Sequence, residues 1–253
     1  MKVSIDPKKS VYENASAYFE EAKKLRKKAE ATAVAIENTK KELLEGEKKE
    51  EKRAETVRKT EWFEKFRWFI SSEGFLAVGG KSAEQNMSLV AKHFMQDDLF
   101  FHADIRGGSV VILKNGISAG EKTLKEAAQF AASYSNAWEK GFAAADTFAA
   151  KKDQVSRSAP AGQFLPKGSF VITGEKKYFK GIPLGVVIGL TESGLQSAPR
   201  LTGIGRFSTT FELIPGDRDK EDVARDISKE FGIEKERISG LIPAGRCAVK
   251  RIK

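Results

Sequence analysis

The segment from Ser10 to Trp62 limits the possible folds of this chain most strongly, because it contains no proline and only one glycine, Gly46. Alanine, lysine, glutamate and leucine dominate it, which is the composition of a long helix. Ser10 suits the N-cap position, and Glu13 stands at the spacing of a capping box. We therefore predict a helical arm over residues 1–61.

Apolar residues recur along this arm at spacings of three and four, which gives the predicted helix one weakly apolar face. They are Val11, Ala15, Tyr18, Phe19, Ala22, Leu25, Ala29, Val34, Ile36 and Leu43. From Glu45 to Arg53 nearly every residue is charged. The apolar face predicts a helical partner, either in a coiled coil or within a hairpin folded at Gly46.

The sequence pattern changes after the arm to one that is typical of strands and shorter helices. Arg67–Ser71 and Phe75–Val78 predict a hairpin, since Ser72–Gly74 between them has turn composition. The further predicted strands are Leu99–Ala103, Ser109–Leu113, Gly168–Thr173, Leu184–Leu190, Thr210–Ile214 and Cys247–Ile252. The predicted helices are Ser82–Met95, with Ser82 as its N-cap, Thr123–Lys140 and Lys220–Phe231.

These elements predict an α+β fold class in three parts. Residues 1–61 are the coiled-coil arm, and residues 62–195 form a compact mixed α/β core. Residues 196–253 are a small βαβ-like extension, which follows the Gly/Ser/Pro-rich join Ser193–Gly205.

The charge and the cysteine content of the chain limit the classes of function that it can have. The formal net charge is +9 and the sequence pI is near 9.4, which favours an anionic partner such as nucleic acid. The single Cys247 excludes an intrachain disulfide, and with only His93 and His102 it cannot build a Cys-rich zinc site. We expect no metal and no cofactor. No apolar run is long enough to span a membrane and no secretory signal is recognisable, so we expect a cytoplasmic protein without membrane partners.

Four segments stand in an order and spacing that resemble a known family. They are Trp62–Glu73, Val78–Lys81 with Gln85 and Asn86, His102–Gly107 with Lys114 and Asn115, and Ser158–Phe164. Together they resemble NFACT-R, the RNA-binding domain of the archaeal and eukaryotic NFACT proteins of ribosome quality control. Asp6–Ala15 resembles the start of the coiled-coil arm that precedes this domain, and Leu213–Arg218 resembles the tail of archaeal members. Ser82 departs from the family's usual aspartate, and Arg106 from its frequent histidine.

The resemblance implies a non-enzymatic, RNA- and ribosome-binding module of translation quality control. Such a module contacts the large ribosomal subunit obstructed by peptidyl-tRNA and supports C-terminal tailing of stalled chains. The implied partners are the rRNA of that subunit and, as a second candidate, tRNA.

The NFACT-N half of the full-length family protein is expected to be absent. The chain would then be either an excised piece or a natural split protein, and its arm would pair through Val11–Leu44 with a separate NFACT-N-bearing partner. The alternative is a stand-alone nucleic-acid-binding or scaffold protein that homodimerises through the same coiled coil.

The candidate nucleic-acid-binding residues are Lys65, Arg67, Lys81, His102, Asp104, Arg106, Gly107, Lys114, Asn115 and Arg157. His102 and Asp104 could also act as a general base and its orienting group, or simply hydrogen-bond a loop in place. No nucleophile stands at a fixed spacing from them, so we expect no catalytic residue. Arg106 and Gly107 could hold a phosphate, or form a turn that requires a positive φ.

A cluster of aromatic residues stands where the arm enters the core. Its members are Trp62, Phe63, Phe66, Trp68 and Phe69. Such rings can stack on bases, but large apolar rings at the junction of a helix and a sheet are more typical of a core. We predict that they pack in the core, with Trp62 as the best candidate for an exception.

Overall fold

The computed structural model describes residues 4–8, 10–57, 61–158, 166, 168–191, 194–203, 207 and 209–252, with the backbone alone at 31, 34, 35, 38 and 41–57. The chain divides into two compact units, Met1–Thr60 and Glu61–Lys253. The helices are α1 Val11–Val57, α2 Ala83–His93, α3 Glu121–Ser133, α4 Asn136–Glu139, α5 Arg200–Gly203, α6 Lys220–Phe231 and α7 Lys235–Ser239.

The first unit is the predicted helical arm. The Ser10 N–H donates to Glu13 Oε2 at 2.7 Å and the Glu13 N–H donates to Ser10 Oγ at 3.2 Å, so the predicted capping box is confirmed. Because α1 continues through Gly46, the alternative of a hairpin folded there is wrong. The side chains of Val11, Phe19 and Leu25 are exposed, and their pairing in a coiled coil stays a prediction.

The second unit contains the strands. They are β1 Arg67–Ile70, β2 Leu76–Gly79, β3 Leu99–Ala103, β4 Val111–Leu113, β5 Ala144–Ala150, β6 Val155–Ser156, β7 Val171–Ile172, β8 Lys177–Pro183, β9 Val186–Thr191, β10 Gly194–Pro199, β11 Thr210–Arg218 and β12 Cys247–Ile252. Six of them form an antiparallel sheet in the order β1-β2-β4-β3-β5-β8. A second antiparallel sheet has the order β10-β9-β11-β12, and β6 pairs with β7.

Each face of the six-stranded sheet packs against a separate core. On one face, α3 and the second sheet bury a large cluster that includes Phe101, Phe130 and Trp138. On the other face, Phe100 and Phe148 pack with α2 and with the β6–β7 segment. Burial of these apolar surfaces stabilises the two layers around the sheet.

The aromatic cluster at the start of this unit packs as predicted. Phe66 and Phe69 are buried, whereas Trp62 is half-buried and stacks on His93 with ring centroids 3.9 Å apart. Phe63 and Trp68 pack against the same cluster as Trp62. These rings therefore belong to the core.

Three parts of the predicted architecture are corrected by the structure. The helix predicted over Thr123–Lys140 is broken, because Ser135 caps the short α4 by accepting a hydrogen bond from the Ala137 N–H at 3.2 Å. The join predicted over Ser193–Gly205 contains β10 and α5. The extension is not a βαβ unit, since β11 and β12 are antiparallel neighbours and α6 and α7 connect them.

The second sheet links the extension to the core. The predicted division between residues 195 and 196 falls within β10, which pairs with β9, and β9 pairs with β11. Strands from both sides of that division therefore share one sheet.

Candidate nucleic-acid interface

A cleft of about 740 Å³ lies at one end of the six-stranded sheet. Because neighbouring strands are antiparallel, the start of β1 and the end of β2 lie at the same sheet end as the end of β3 and the start of β4. The predicted residues that line the cleft are Arg67, Lys81, His102, Asp104, Arg106 and Gly107. The fold thus brings six of the candidate residues to one place.

The buried Asn86 of α2 joins the two backbone segments that frame this cleft, because it bonds to residues 108–110 and lies against Gly80. Its Nδ2 donates to Gly108 O at 3.2 Å, and its Oδ1 accepts from the Val110 N–H at 3.2 Å. A side chain on Gly80 would place its Cβ 2.1 Å from Asn86 Oδ1, so only glycine allows this approach. Ser109 Oγ also donates to Gly80 O, at 2.5 Å. Asn86 is a positioning residue that sequence reasoning missed, although its motif was recognised.

The loop after β3 is fixed by Asn136 at the start of α4. Asn136 Nδ2 donates to Arg106 O at 3.0 Å, and its N–H donates to Gly107 O at 3.0 Å. Gly107 has a φ of +79°, and a Cβ there would lie 2.2 Å from Asn136 Nδ2. The prediction of a turn that needs a positive φ is confirmed, and the exposed Arg106 side chain stays a predicted phosphate ligand.

Arg67 and Lys81 give one end of the cleft an uncompensated positive charge. The Arg67 guanidinium lies 4.5 Å above the Tyr134 ring, and its Nη1 donates to Gly80 O at 3.2 Å. Its buried Nε has no hydrogen-bond partner among the described residues. Burial lowers the pKa of Arg67, and burial followed by repulsion from Arg67 lowers the pKa of Lys81. Within the described residues, no carboxylate is hydrogen-bonded to either side chain. Arg67 and Lys81 can therefore bind an anion at this end of the cleft.

Lys220 adds to this positive charge from the C-terminal extension. Burial lowers the pKa of Lys220, and repulsion from Arg67 is the next cause. Lys220 is the first residue of α6, and the same extension contributes Ala244 to the lining of the cleft. Sequence reasoning missed Lys220, because no local pattern shows that α6 begins near β1.

Aromatic rings form the other part of the cleft. Phe100, Phe148 and Phe170 line it together with His102. His102 Nδ1 lies 2.6 Å from Ala103 O, so it carries the proton that this carbonyl oxygen accepts, and it is not directed at Asp104. The arrangement of a base with its orienting carboxylate is thus not formed, and Asp104 is exposed at the rim. Among the described residues, no cluster of histidine, cysteine and carboxylate side chains could hold a metal ion.

Family comparison identifies the part of the chain that forms this cleft. The model described as "NFACT protein RNA binding domain" matches residues 65–174, and the model described as "NFACT N-terminal and middle domains" matches residues 1–76. The chain belongs to the NFACT family. The expectation that the NFACT-N half is absent is wrong in part, because residues 1–76 match the model that includes it.

Similar proteins come from archaea and eukaryotes. An "Archaeal Rqc2 homolog aRqcH" of Methanocaldococcus jannaschii is 37% identical over 196 residues, which cover 74% of this chain and 29% of that protein. "Ribosome quality control complex subunit 2" of Schizosaccharomyces pombe is 36% identical, covering 70% of this chain and 18% of that protein. Human "Ribosome quality control complex subunit NEMF" is 36% identical, covering 66% of this chain and 16% of that protein. The chain thus spans less than a third of these curated relatives.

One solved structure is also similar, at a greater distance. It is the C-terminal part of the fibronectin/fibrinogen-binding protein from Streptococcus suis, with a TM-score of 0.41 and 22% identity. The match covers 73% of this chain and 78% of that chain.

The remaining candidate residues of the NFACT-R domain lie outside the cleft. Lys114 Nζ lies 2.5 Å from Oδ2 of the buried Asp98, and the Asn115 N–H donates to Asp98 Oδ1 at 2.9 Å. The positive charge of Lys114 is therefore compensated, and both residues fix Asp98. Lys65 and Arg157 are exposed elsewhere on the surface. Of the predicted segment Ser158–Phe164, residues 159–164 lie outside the described residues.

Acidification should destabilise the NFACT-R domain. Burial is the largest cause that lowers the pKa of both His93 and His102 from the ordinary 6.5. Below about pH 6.5 the unfolded chain binds protons that the folded chain does not, so stability should fall with falling pH in this window. We expect a lower urea midpoint at about pH 5.5 than at about pH 7.5, and a smaller difference in His102→Gln. An equal or higher midpoint at the lower pH would contradict this prediction.

Proposed function

We propose that this chain is a non-enzymatic RNA-binding module of ribosome-associated quality control. In this proposal it contacts the large ribosomal subunit obstructed by peptidyl-tRNA and supports C-terminal tailing of stalled chains, acting in the cytoplasm. The observation that carries the proposal is the uncompensated charge of Arg67 and Lys81 in a cleft of the family's RNA-binding domain. The names of the relatives support the assignment to ribosome quality control.

RNA phosphate is the anion that best suits this end of the cleft. The Tyr134 ring and Gly80 O hold the Arg67 guanidinium in a fixed plane at the lining of the cleft, where its charge would attract a phosphate. Lys81 and Arg106, which line the same cleft, can contact neighbouring phosphates as point charges. Contacts of this kind bind RNA with little dependence on sequence, as a module that binds rRNA or tRNA backbone requires.

The arm provides a second contact in this proposal. Large apolar side chains of α1, including Val11, Tyr12 and Phe19, are exposed. Burying them against another helix would remove apolar surface from water. An NFACT-N-bearing partner therefore remains our proposed occupant of Val11–Leu44, and a second copy of this chain is the alternative.

Co-sedimentation with large ribosomal subunits tests the proposed function. We expect the chain to pellet with subunits at low salt and to be released as the salt concentration rises, because phosphate contacts release counterions. The Lys81→Glu, Arg106→Glu variant should pellet several-fold less at the same salt. Lys122→Glu, Lys125→Glu is the matched control, since both lysines are exposed and neither lines the cleft. Absence of binding at low salt would contradict the proposal.

A further inference from the structure

The start of α6 lies near the part of the C-terminal extension that borders the cleft. Arg218, which precedes α6, pairs with Cys247 of β12 in the register of the second sheet. Ala244, shortly before Cys247, lines the cleft together with Arg67. The backbone therefore places Lys220, the first residue of α6, beside the segment of the extension that faces Arg67.

Tyr134 joins this segment of the extension to Arg67. The Arg67 guanidinium lies 4.5 Å from the centroid of the Tyr134 ring, and the Tyr134 hydroxyl donates to Leu241 O at 2.6 Å. Trp138 Nε1 donates to Arg246 O at 3.1 Å. Tyr134 and Trp138 belong to the core that packs against α3. Residues 241–246 are therefore held on the same face of the six-stranded sheet as the Arg67 guanidinium.

The charge of Lys220 is not compensated by the carboxylates next to it in sequence. Asp219 caps α6, because its Oδ1 accepts from the Glu221 N–H at 2.8 Å. The Glu221 carboxylate lies 2.8 Å from Lys235 Nζ and accepts from Ser239 Oγ at 2.7 Å. In the part of the chain that the structure describes, no carboxylate forms an ion pair with Lys220.

Three positive charges therefore repel one another where the sheet meets the extension. Burial lowers the pKa of Lys220, and repulsion from Arg67 is the next cause. The same two causes lower the pKa of Lys81. Like charges that are partly removed from water oppose folding, and an anion between them would replace their repulsion by attraction. Such a cluster is more typical of a binding site than of a stabilising network.

We propose that Lys220 is a further RNA-binding residue, whose charge completes the site for one phosphate group at Arg67 and Lys81. This inference rests on the proposed function and makes the C-terminal extension part of the RNA-binding site. Lysine acts on a phosphate as a point charge on a long, rotatable stem. Lys220 therefore need not line the cleft in order to attract a phosphate that binds there, because partly buried charges are screened less by salt than exposed ones.

Fluorescence anisotropy with the full chain and one short labelled single-stranded RNA tests this inference. Lys220→Met should weaken RNA binding by about 3- to 10-fold, since one charge of the site is lost. Lys220→Arg, which keeps the charge, should bind within about twofold of the original chain. Lys220→Glu should bind more weakly than Lys220→Met. Lys229→Met is the matched control and should not change the affinity, since Lys229 is exposed in the last turn of the same helix.

The stability of Lys220→Met separates a binding role from a structural one. Methionine removes a charge that repels Arg67 and keeps an apolar stem, so the variant should not have a lower urea midpoint than the original chain. Weaker RNA binding together with a lower midpoint would assign Lys220 a structural role and overturn the inference.

The failure of this inference differs from the failure of the proposed function. Salt-sensitive RNA binding that is equal in the original chain and in Lys220→Met would overturn the role of Lys220 and leave the RNA-binding function intact. Absence of RNA binding by the original chain at low salt would overturn both.

Discussion

Asn86→Ala should lower the free energy of unfolding by about 2–4 kcal/mol. The amide of Asn86 accepts from the Val110 N–H and donates to Gly108 O, and Val110 is buried. Alanine would leave that N–H without a partner and would detach α2 from the loop that frames the cleft. Urea denaturation followed by fluorescence measures the change as a lower midpoint with an unchanged slope.

The matched control is the neighbouring residue. Gln85 also makes two side-chain hydrogen bonds to backbone, accepting from the Lys81 N–H at 3.0 Å and donating to Lys65 O at 3.3 Å, but at exposed positions. Water can replace these partners, so Gln85→Ala should cost less than about 1 kcal/mol. Equal costs for the two variants would show that burial of the Asn86 hydrogen bonds is not what stabilises the cleft.

Arg67→Met should weaken RNA binding by about 10- to 100-fold without lowering stability. Hydrogen bonds to a charged group contribute about 1.5–3 kcal/mol, which corresponds to this range of affinity. Burial of the Arg67 guanidinium beside Lys81 opposes folding, and methionine removes that charge while keeping an apolar stem over the Tyr134 ring.

Affinity and stability should therefore change independently in Arg67→Met. Anisotropy titration gives the affinity, and urea denaturation gives the stability. Lys125→Met, which removes an exposed charge outside the cleft, should change neither. Tight RNA binding by Arg67→Met would show that the buried guanidinium does not contact the ligand.

The sequence alone was sufficient to predict those elements that depend on contacts between residues close in sequence. The capping box of Ser10 and Glu13, the N-cap Ser82 and the hairpin of β1 and β2 all depend on residues close in sequence. The resemblance added the candidate residues of the 65–174 segment, and six of them meet in the cleft because antiparallel strands bring their ends together.

Other features depend on tertiary contacts that a single sequence does not reveal. Strand β5 is rich in alanine and β8 contains Gly181 and Pro183, so neither has strong strand propensity, yet both extend the sheet beyond β3. The pairing of His102 with Phe148 and of Phe148 with Tyr178 could not be predicted without them. The alanine-rich sequence of α3 shows no apparent break before Trp138, yet the helix ends at Ser133, because Ser135 caps α4 and Asn136 contacts the 106–108 loop.

The salt dependence of RNA affinity tests the central claim most directly, measured with single-stranded RNA for the original chain and for the Arg67→Met, Lys81→Met variant. If the cleft binds phosphates, the logarithm of affinity should fall linearly with the logarithm of salt concentration. The slope of the double variant should be shallower by about 1.4, since each lost contact removes about 0.7. Equal slopes and equal affinities for the two proteins would contradict the assignment of this cleft as the RNA-binding site.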